Sequence, residues 1–489
     1  MGEIQDSLFP LEFNKSVRVG QEKGTSLTID PGAVLLREVG ERLGLWRLLE
    51  QALVDGRNPA LITHPWMELL RTAVLLAAQG WSSQREVDLL RHDPAFRLAV
   101  SERKGQRALQ ARRVALEPEG LASQPTVSRL LSSLSAPWNR DALTQVLCSW
   151  AAQRKGLSAA RPCAEVTIDL DSLPAEVQGA QPGSAYNGHY GCRCFHPLLV
   201  SWEFGDFLGA RLRPGNVHTS DEACDFVLPF LGWAATLARQ VWLRMDAGFP
   251  SEPFLNGLES RGYRYMARLK SNARLERLAA PYLDRILQRP WRKEQLHIVE
   301  LEYRAASWSR DRRVVLVFDE RPFELVPNYF FLVTHAPAAE VSGLELLRRY
   351  RQRGSTEKDY GDWLNALDLT LSSTNRSKSG YRGEAPRQRS DPIDSFAVNE
   401  ATLLLSLLTA NLLHAARLLV ARIGGRCQSR ETFRRLVLKA GARFTRSGRY
   451  IMLRIQQAQA QYWREIAQAL RQLPPTRGSP TLLTLPTPA

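Results

Sequence analysis

AEVTIDLDS, residues 164–172, is the stretch whose reading decides the fold. Val166, Ile168 and Leu170 alternate with Thr167, Asp169 and Asp171, the period-two pattern of a strand with one apolar face. The same period puts both acids on the opposite face, near the strand's C-terminal end. Upstream, from Pro31 to about Gly156, apolar residues recur at three- and four-residue steps, as in VLLREVGERLGLWRLLEQAL (34–53) and HPWMELLRTAVLLAAQGW (64–81), which predicts helices. The pattern changes near Pro162, so the strand opens a new structural region.

Downstream, HYGCRCFHPLLVSWEF (189–204) and FLGARLRPG (207–215) read as two more strands of an antiparallel meander. DEACDFVLPFLGWAATLA (221–238) has helical spacing, and VWLRMDAGF (241–249) is a short apolar strand that ends on Asp246. PFLNGLESRG (253–262) then reads as a helix and YRYMARLK (263–270) as a strand. Three strands, a helix, a strand, a helix and a strand, with acids ending the first and fourth strands, give an α/β fold with a ribonuclease-H-like mixed-sheet core. That core is predicted over 161–274 and 341–372. HIVELEYRAASW, RRVVLVFDE and NYFFLVTH, rich in β-branched and aromatic residues, predict a β insertion over 275–340.

LRRYRQRGSTEKDYGDWL (347–364) sets Tyr350, Arg353 and Glu357 at i, i+3 and i+7. On one continuous helix these share a face and suit a phosphodiester: arginine grips phosphate oxygens through two donors, and a carboxylate holds a divalent metal. Two alternatives stand beside this reading. The row is a solvated, salt-bridged face, or Ser355 starts the helix afresh and leaves Arg353 in front of it.

The chain has 489 residues, 44% hydrophobic and 24% charged, with net charge +15 and pI ≈ 9.8. Several structural units fit this length, and the basic excess favours a nucleic acid over a membrane as partner. The opening MGEIQDSLFP lacks a basic-then-apolar leader, and the apolar run Leu403–Ala421 is interrupted by Asn411, His414 and Arg417, which predicts a buried helix and no membrane span. Six scattered cysteines point to a reducing cytoplasm. His189, Cys192, Cys194 and His196 have too short a Cys-x-Cys spacing for the usual zinc set and read as packed strand residues. Trp202, Trp233 and Trp242 read as core.

The remaining regions are a flexible arm (1–30), a helical region (31–160), a basic loop (373–394), a C-terminal helical region (395–472) and a disordered tail (473–489). Within the helical region, GLASQPTVSRLLSSL (120–134) has the punctuation of a helix-turn-helix. Thr126, Ser128 and Arg129 then sit at the front of a DNA-reading helix, or simply on an amphipathic core helix. The basic residues of LRRYRQR, Arg349 among them, suit a stripe for a DNA backbone.

Asp171, Asp246 and Glu357 thus stand on three separate elements. Phosphodiester chemistry requires an activated nucleophile and a stabilised leaving oxygen, which two divalent ions ~3.5–4 Å apart provide when carboxylates hold them. An all-oxygen ligand set favours two Mg2+ ions, for which Mn2+ substitutes.

TIDLDS, LRMDAGF and YRQRGSTE, in that order, resemble the three signatures of bacterial insertion-sequence DDE transposases. The match is to the family numbered thirteen-eighty, in the IS4-like branch with a tyrosine–arginine–glutamate–lysine helix. GLASQPTVSRL, GHYGCRCFHPLL, LRPGNVH and LKAGARFTRS extend the similarity over most of residues 30–455. The resemblance implies Asp171, Asp246 and Glu357 as catalytic metal ligands, with Asp169 as the alternative or supporting acid, and Tyr350 and Arg353 as phosphate contacts. The family's lysine position, seven residues after Glu357, holds Leu364 here. The implied activity is binding of terminal inverted repeats, cleavage of element ends and joining of the 3′-hydroxyl to target DNA, by a homodimer on double-stranded DNA associated with the cytoplasmic nucleoid. A nuclease that cuts without joining and an inactive DNA-binding repressor remain the alternatives.

Overall fold

The computed structural model describes residues 7–10, 18–20, 27–81, 83–101, 120–288, 295–321, 326–373, 394–421, 428–447, 450–472 and 485. The chain divides into two units: Met1–Arg42, Gly56–Leu130 and Ala415–Pro475 form the first, and Leu43–Asp55, Leu131–His414 and Thr476–Ala489 the second.

The first unit combines segments far apart in sequence. Strand Leu27–Thr28 pairs with Ala442–Ser447, which pairs with Tyr450–Ile455. Fully buried Asp30 accepts a hydrogen bond from Lys439 Nζ at 2.5 Å and one from Trp81 Nε1 at 3.2 Å, so a charged contact ties the two ends of this unit together. Helix Gln124–Leu134 carries Thr126, Ser128 and Arg129 in its first half. Val127 and Leu130 are buried, whereas Arg129 is exposed and Thr126 and Ser128 are half-buried, so the three candidate DNA-reading residues leave the apolar face to the core. Residues 102–119, where the preceding helix of a helix-turn-helix was expected, lie outside the described residues. The same is true of residues 374–393 of the basic loop and of nearly all of the tail.

An eight-stranded mixed sheet forms the second unit. Its strands are β1 (Cys163–Ser172), β2 (Leu198–Trp202), β3 (Phe207–Arg211), β4 (Ala238–Met245), β5 (Arg264–Leu269), β6 (Gln295–Tyr303), β7 (Arg312–Glu320) and β8 (Asn328–Thr334). They lie in the order β6-β7-β8-β5-β4-β1-β2-β3, with β1, β4 and β5 parallel and the other pairings antiparallel. The three strands expected as an insertion therefore continue the sheet through the β5–β8 pairing. The stretch 189–204 is split: Cys192–Phe195 joins a small separate sheet and Leu198–Trp202 becomes β2. Pro197 stands at the break, where its missing N–H ends a ladder.

Alternation assigns each strand residue to a layer. Val166, Ile168 and Leu170 of β1, Leu243 and Met245 of β4, and Tyr265 and Ala267 of β5 enter one core with α1 (Ala223–Ala235) and α2 (Glu252–Glu259). Trp242, Met266, Val315, Val317 and Leu332 point the other way, toward Leu346 and Leu347 of α3 (Gly343–Arg351). Ser342 caps α3 by accepting from Glu345 N at 3.3 Å. The helix then lies so close to the sheet that a Cβ on Gly343 would stand 2.6 Å from Ile298.

Beyond α3 comes α4 (Arg353–Leu367), whose far half is fixed by buried Tyr360 hydrogen-bonded to Ser201 at 3.0 Å and by Trp363 Nε1 donating to Ser406 Oγ at 3.1 Å. Ser406 belongs to α5 (Ser395–Ala421). This helix is long and apolar enough to cross a membrane, but 89% of its most apolar window is buried inside the protein. Asn411 on α5 completes edge strand β3, accepting from Phe207 N at 2.9 Å and donating to Phe207 O at 2.8 Å.

Asn411→Ala leaves both Phe207 backbone groups buried without those partners. At about 1–3 kcal/mol for each group, we expect a loss of roughly 2–6 kcal/mol in urea unfolding. A loss below about 0.5 kcal/mol would contradict the edge-completing role.

Candidate active site

The parallel register pairs Asp169 with Arg244 and Leu170 with Met245. One residue further, Asp171 and Asp246 reach the C-terminal ends of neighbouring strands, on the face that α3 and α4 cover. Neighbouring strands lie ~4.8 Å apart, so the pleat brings two carboxylates from distant parts of the sequence side by side.

Behind them is a buried charge pair. Arg244 donates to Asp169 through Nε at 2.6 Å and Nη2 at 2.8 Å, and both side chains are essentially inaccessible. Its remaining nitrogen, Nη1, donates to the carbonyl of Arg349 at 2.6 Å, and Thr356 Oγ1 donates to Asp169 at 3.0 Å. Both oxygens of Asp169 are thus engaged, and the pair fastens the end of α3 and the first turn of α4 to the centre of the sheet. Asp169 thus stands behind the strand-end acids, held by Arg244 and Thr356.

The row Tyr350–Arg353–Glu357 does not lie on one regular helix. Gln352 closes α3, its carbonyl accepting from Ser355 N at 3.1 Å and from Ser355 Oγ at 2.6 Å. This tightened turn interrupts the i+4 ladder, and α4 begins at Arg353, two residues before the Ser355 restart that the sequence allows. Arg353 and Glu357 still share a face, with Nε 3.2 Å from Glu357 Oε1. Arg353 Nη2 donates to Asp171 at 2.8 Å, so one guanidinium bridges the acids of β1 and α4. Its Nη1 is buried without a hydrogen-bond partner among the described residues.

A cleft of ≈ 670 Å³ opens in front of this group. Asp246, Tyr350, Arg353 and Glu357 line it, with Arg268, Arg321 and Arg351 among the other wall residues. Asp319 holds two of those arginines, accepting from Arg321 at 3.2 Å and Arg351 at 3.1 Å. The Arg349 side chain is turned elsewhere, donating to Glu165 at 2.7 Å and Glu345 at 3.1 Å. Leu364, half-buried on α4, supplies no charge at the family's lysine position.

Burial pushes the Asp171 carboxyl up to about 6, with Asp246 adding to the rise; Arg353 and the Ser172 N–H oppose it without cancelling it. For Arg353, burial alone would lower the pKa, yet Asp171 and the neighbouring Tyr350, Asp246 and Glu357 raise it above the ordinary arginine value. Burial also pushes the Tyr350 hydroxyl up to about 12, so it remains a neutral donor at physiological pH.

The oxygen donors of Asp171, Asp246 and Glu357 fit a hard divalent cation in chemistry. Among the described residues, however, no three acid, histidine or cysteine side chains are gathered closely enough to hold one, and Arg353 occupies the gap. His189, Cys192, Cys194 and His196 form no such group either. His196 instead lies 3.1 Å from Ser172 Oγ, beside the first acid.

Arg244, Thr356, Arg268, Arg321 and Asp319 do not stand out in the sequence as site residues, whereas Arg351 belongs to the basic LRRYRQR stretch. Arg244 had a signal: it precedes Asp246 by two, as Asp169 precedes Asp171, so parallel pairing sets them opposite each other. The others depend on how distant strands pair with the β5 edge.

Two outcomes separate the neighbouring acids of β1. Asp169→Ala leaves Arg244 charged and buried, and is expected to cost about 3–5 kcal/mol in urea unfolding; a cost below about 1 kcal/mol would contradict the anchoring role. In the metal-free protein, a carbon-13 NMR titration of Asp171, assigned with Asp171→Asn, is expected to have its midpoint near pH 6. Because folding raises this pKa, the group's stabilising contribution is fully present below about pH 4 and is lost as pH rises through about 6. A midpoint in the ordinary carboxylate range would contradict the burial described.

The sequence model of the family described as Transposase DDE domain group 1 matches residues 9–380. None of the curated proteins matches the chain. The family match spans β1, β4 and α4, which carry the three acids, and the chain belongs to the DDE-domain transposases, DNA-binding enzymes that act on phosphodiester bonds.

Proposed function

We propose that the protein is an insertion-sequence transposase of the family numbered thirteen-eighty, in the IS4-like branch. It binds terminal inverted repeats, cleaves the element ends and joins the freed 3′-hydroxyl to target DNA. The observation that carries this reading is the convergence at one cleft of Asp246, Glu357 and Tyr350 with the Arg353 guanidinium, one nitrogen of which is buried without a partner among the described residues. A phosphate oxygen is an acceptor that would satisfy such a nitrogen.

The strand order β3-β2-β1-β4-β5, with helices on both faces, supports a ribonuclease-H-like core. In this reading Asp171, Asp246 and Glu357 hold two Mg2+ ions, replaceable by Mn2+, which supply charge neutralisation at the reacting phosphate when bound. Arg353 and Tyr350 grip and orient the phosphodiester, while Arg321 and Arg351 at the rim guide the adjoining backbone. Thr126, Ser128 and Arg129 read the element end. The enzyme works as a homodimer assembled on two ends, in the cytoplasm on nucleoid DNA.

The direct test is strand transfer with Mg2+, using element-end DNA taken from the flanks of the coding region and a supercoiled target. Removing even groups that support metal ligands costs 10–100-fold, so Asp171→Asn, Asp246→Asn and Glu357→Gln are each expected to reduce joined product by more than about 100-fold. Full activity in any one would contradict its assignment, and cleavage without joined product would leave a nuclease. Arg321→Ala and Arg351→Ala are expected to weaken binding of all DNA sequences alike and to lower the log–log salt slope by about 1 for each phosphate no longer neutralised. An unchanged slope would remove them from the DNA path.

A further inference from the structure

Arg353 stands where the acid site needs positive charge. Its guanidinium contacts Asp171 at 2.8 Å and Glu357 at 3.2 Å, and its side chain is only 7% exposed. The second Asp171 oxygen accepts from Ser172 N at 2.8 Å, so each oxygen of that carboxylate is already hydrogen-bonded, one of them to the Arg353 guanidinium. The position is also mechanically able to change. Arg353 begins α4 directly after the tightened turn at Gln352, and the neighbouring Gly354 has open space where a side chain would be. Arg353 already lines the cleft, so leaving the acids needs a side-chain rotation and no movement of the sheet.

We infer that Arg353 is the resident counter-cation of the acid site, which a DNA phosphate draws away so that divalent metal can enter. The inference rests on the functional reading above and adds a regulation to it. A planar guanidinium between two carboxylates neutralises them without metal, but it also engages the oxygens that metal would use. A phosphodiester in the cleft offers the same guanidinium a bidentate acceptor and satisfies Nη1 as well. Metal and DNA then bind with positive cooperativity through one side chain, and linkage requires each to strengthen the other by the same factor. Acids assembled without DNA would be charged with metal and free to cut; an arginine that yields only to phosphate removes that hazard.

The test is Mn2+ binding to the full-length protein, followed by electron paramagnetic resonance, with and without a short mixed-sequence duplex at low salt. Without DNA, Arg353→Gln is expected to bind Mn2+ more tightly than wild type by a factor in the range ~5–150. Adding the duplex is expected to tighten Mn2+ binding to wild type by a comparable factor and to leave Arg353→Gln unchanged. Arg353→Lys, which keeps the charge, is expected to stay weak without DNA, so that a general loosening of the fold is distinguished from loss of the counter-cation. Equal Mn2+ affinity in wild type and Arg353→Gln without DNA would overturn the inference, as would equal tightening of both by the duplex. If Arg353→Gln binds Mn2+ tightly and Asp171→Asn in that background still does, the cation is not at this site and the functional reading fails instead.

Discussion

The site depends on a charge pair buried at the centre of the sheet. Asp169 and Arg244 face each other across β1 and β4, and their hydrogen bonds run outward to the carbonyl of Arg349 and the hydroxyl of Thr356. Apolar packing of Leu346 and Leu347 on Trp242 and Met266 attracts α3 to the sheet but is non-directional. The guanidinium fork is directional, and both charges of the pair must be satisfied because water is excluded. It therefore fixes the turn between α3 and α4 relative to the ends of β1 and β4. That turn sets Arg353 against Asp171 and starts the helical face that carries Glu357.

Electrostatics at the strand ends follow from this placement. Two carboxylates on neighbouring strand ends, one largely buried, cannot both be charged cheaply without a cation. Arg353 supplies that charge internally, which is why its own pKa is raised despite burial. At the rim a similar logic operates in reverse. Asp319 holds Arg321 and Arg351 in place with one carboxylate for two cations, so positive charge is left over on the cleft wall. A cleft with acids at the floor and surplus cations at the rim suits a polyanion whose reacting phosphate must meet metal while its flanking phosphates meet arginine.

Much of this was legible in the sequence because two periodicities are hard to disguise. The alternation in AEVTIDLDS gave the strand, its buried face and the shared side of its two acids, and the apolar VWLRM gave the strand that delivers Asp246. What sequence could not supply was pairing between distant elements. Local pattern says nothing of an edge partner for the strands at 295–334, the expected insertion; β8 pairs with β5, and they extend the sheet. The stretch 189–204 looked like one strand because its alternation runs through Pro197, whose missing N–H divides it between two sheets. The single face of Tyr350, Arg353 and Glu357 required an unbroken helix, and at the break Ser355 N turns to the Gln352 carbonyl while Arg244 takes the Arg349 carbonyl. Arg353 was legible only as a candidate phosphate contact, whereas its hold on Asp171 spans a sequence separation of 182 residues that local pattern does not reveal.

The most direct measurement is Mn2+ anomalous diffraction from crystals of the full-length protein bound to element-end DNA. Anomalous peaks among Asp171, Asp246 and Glu357, with the Arg353 guanidinium turned from Asp171 onto a phosphate, are expected. Phosphate in the cleft, Arg353 still bridging Asp171 and Glu357, and Mn2+ bound elsewhere would contradict the shared acid site on which the whole reading stands.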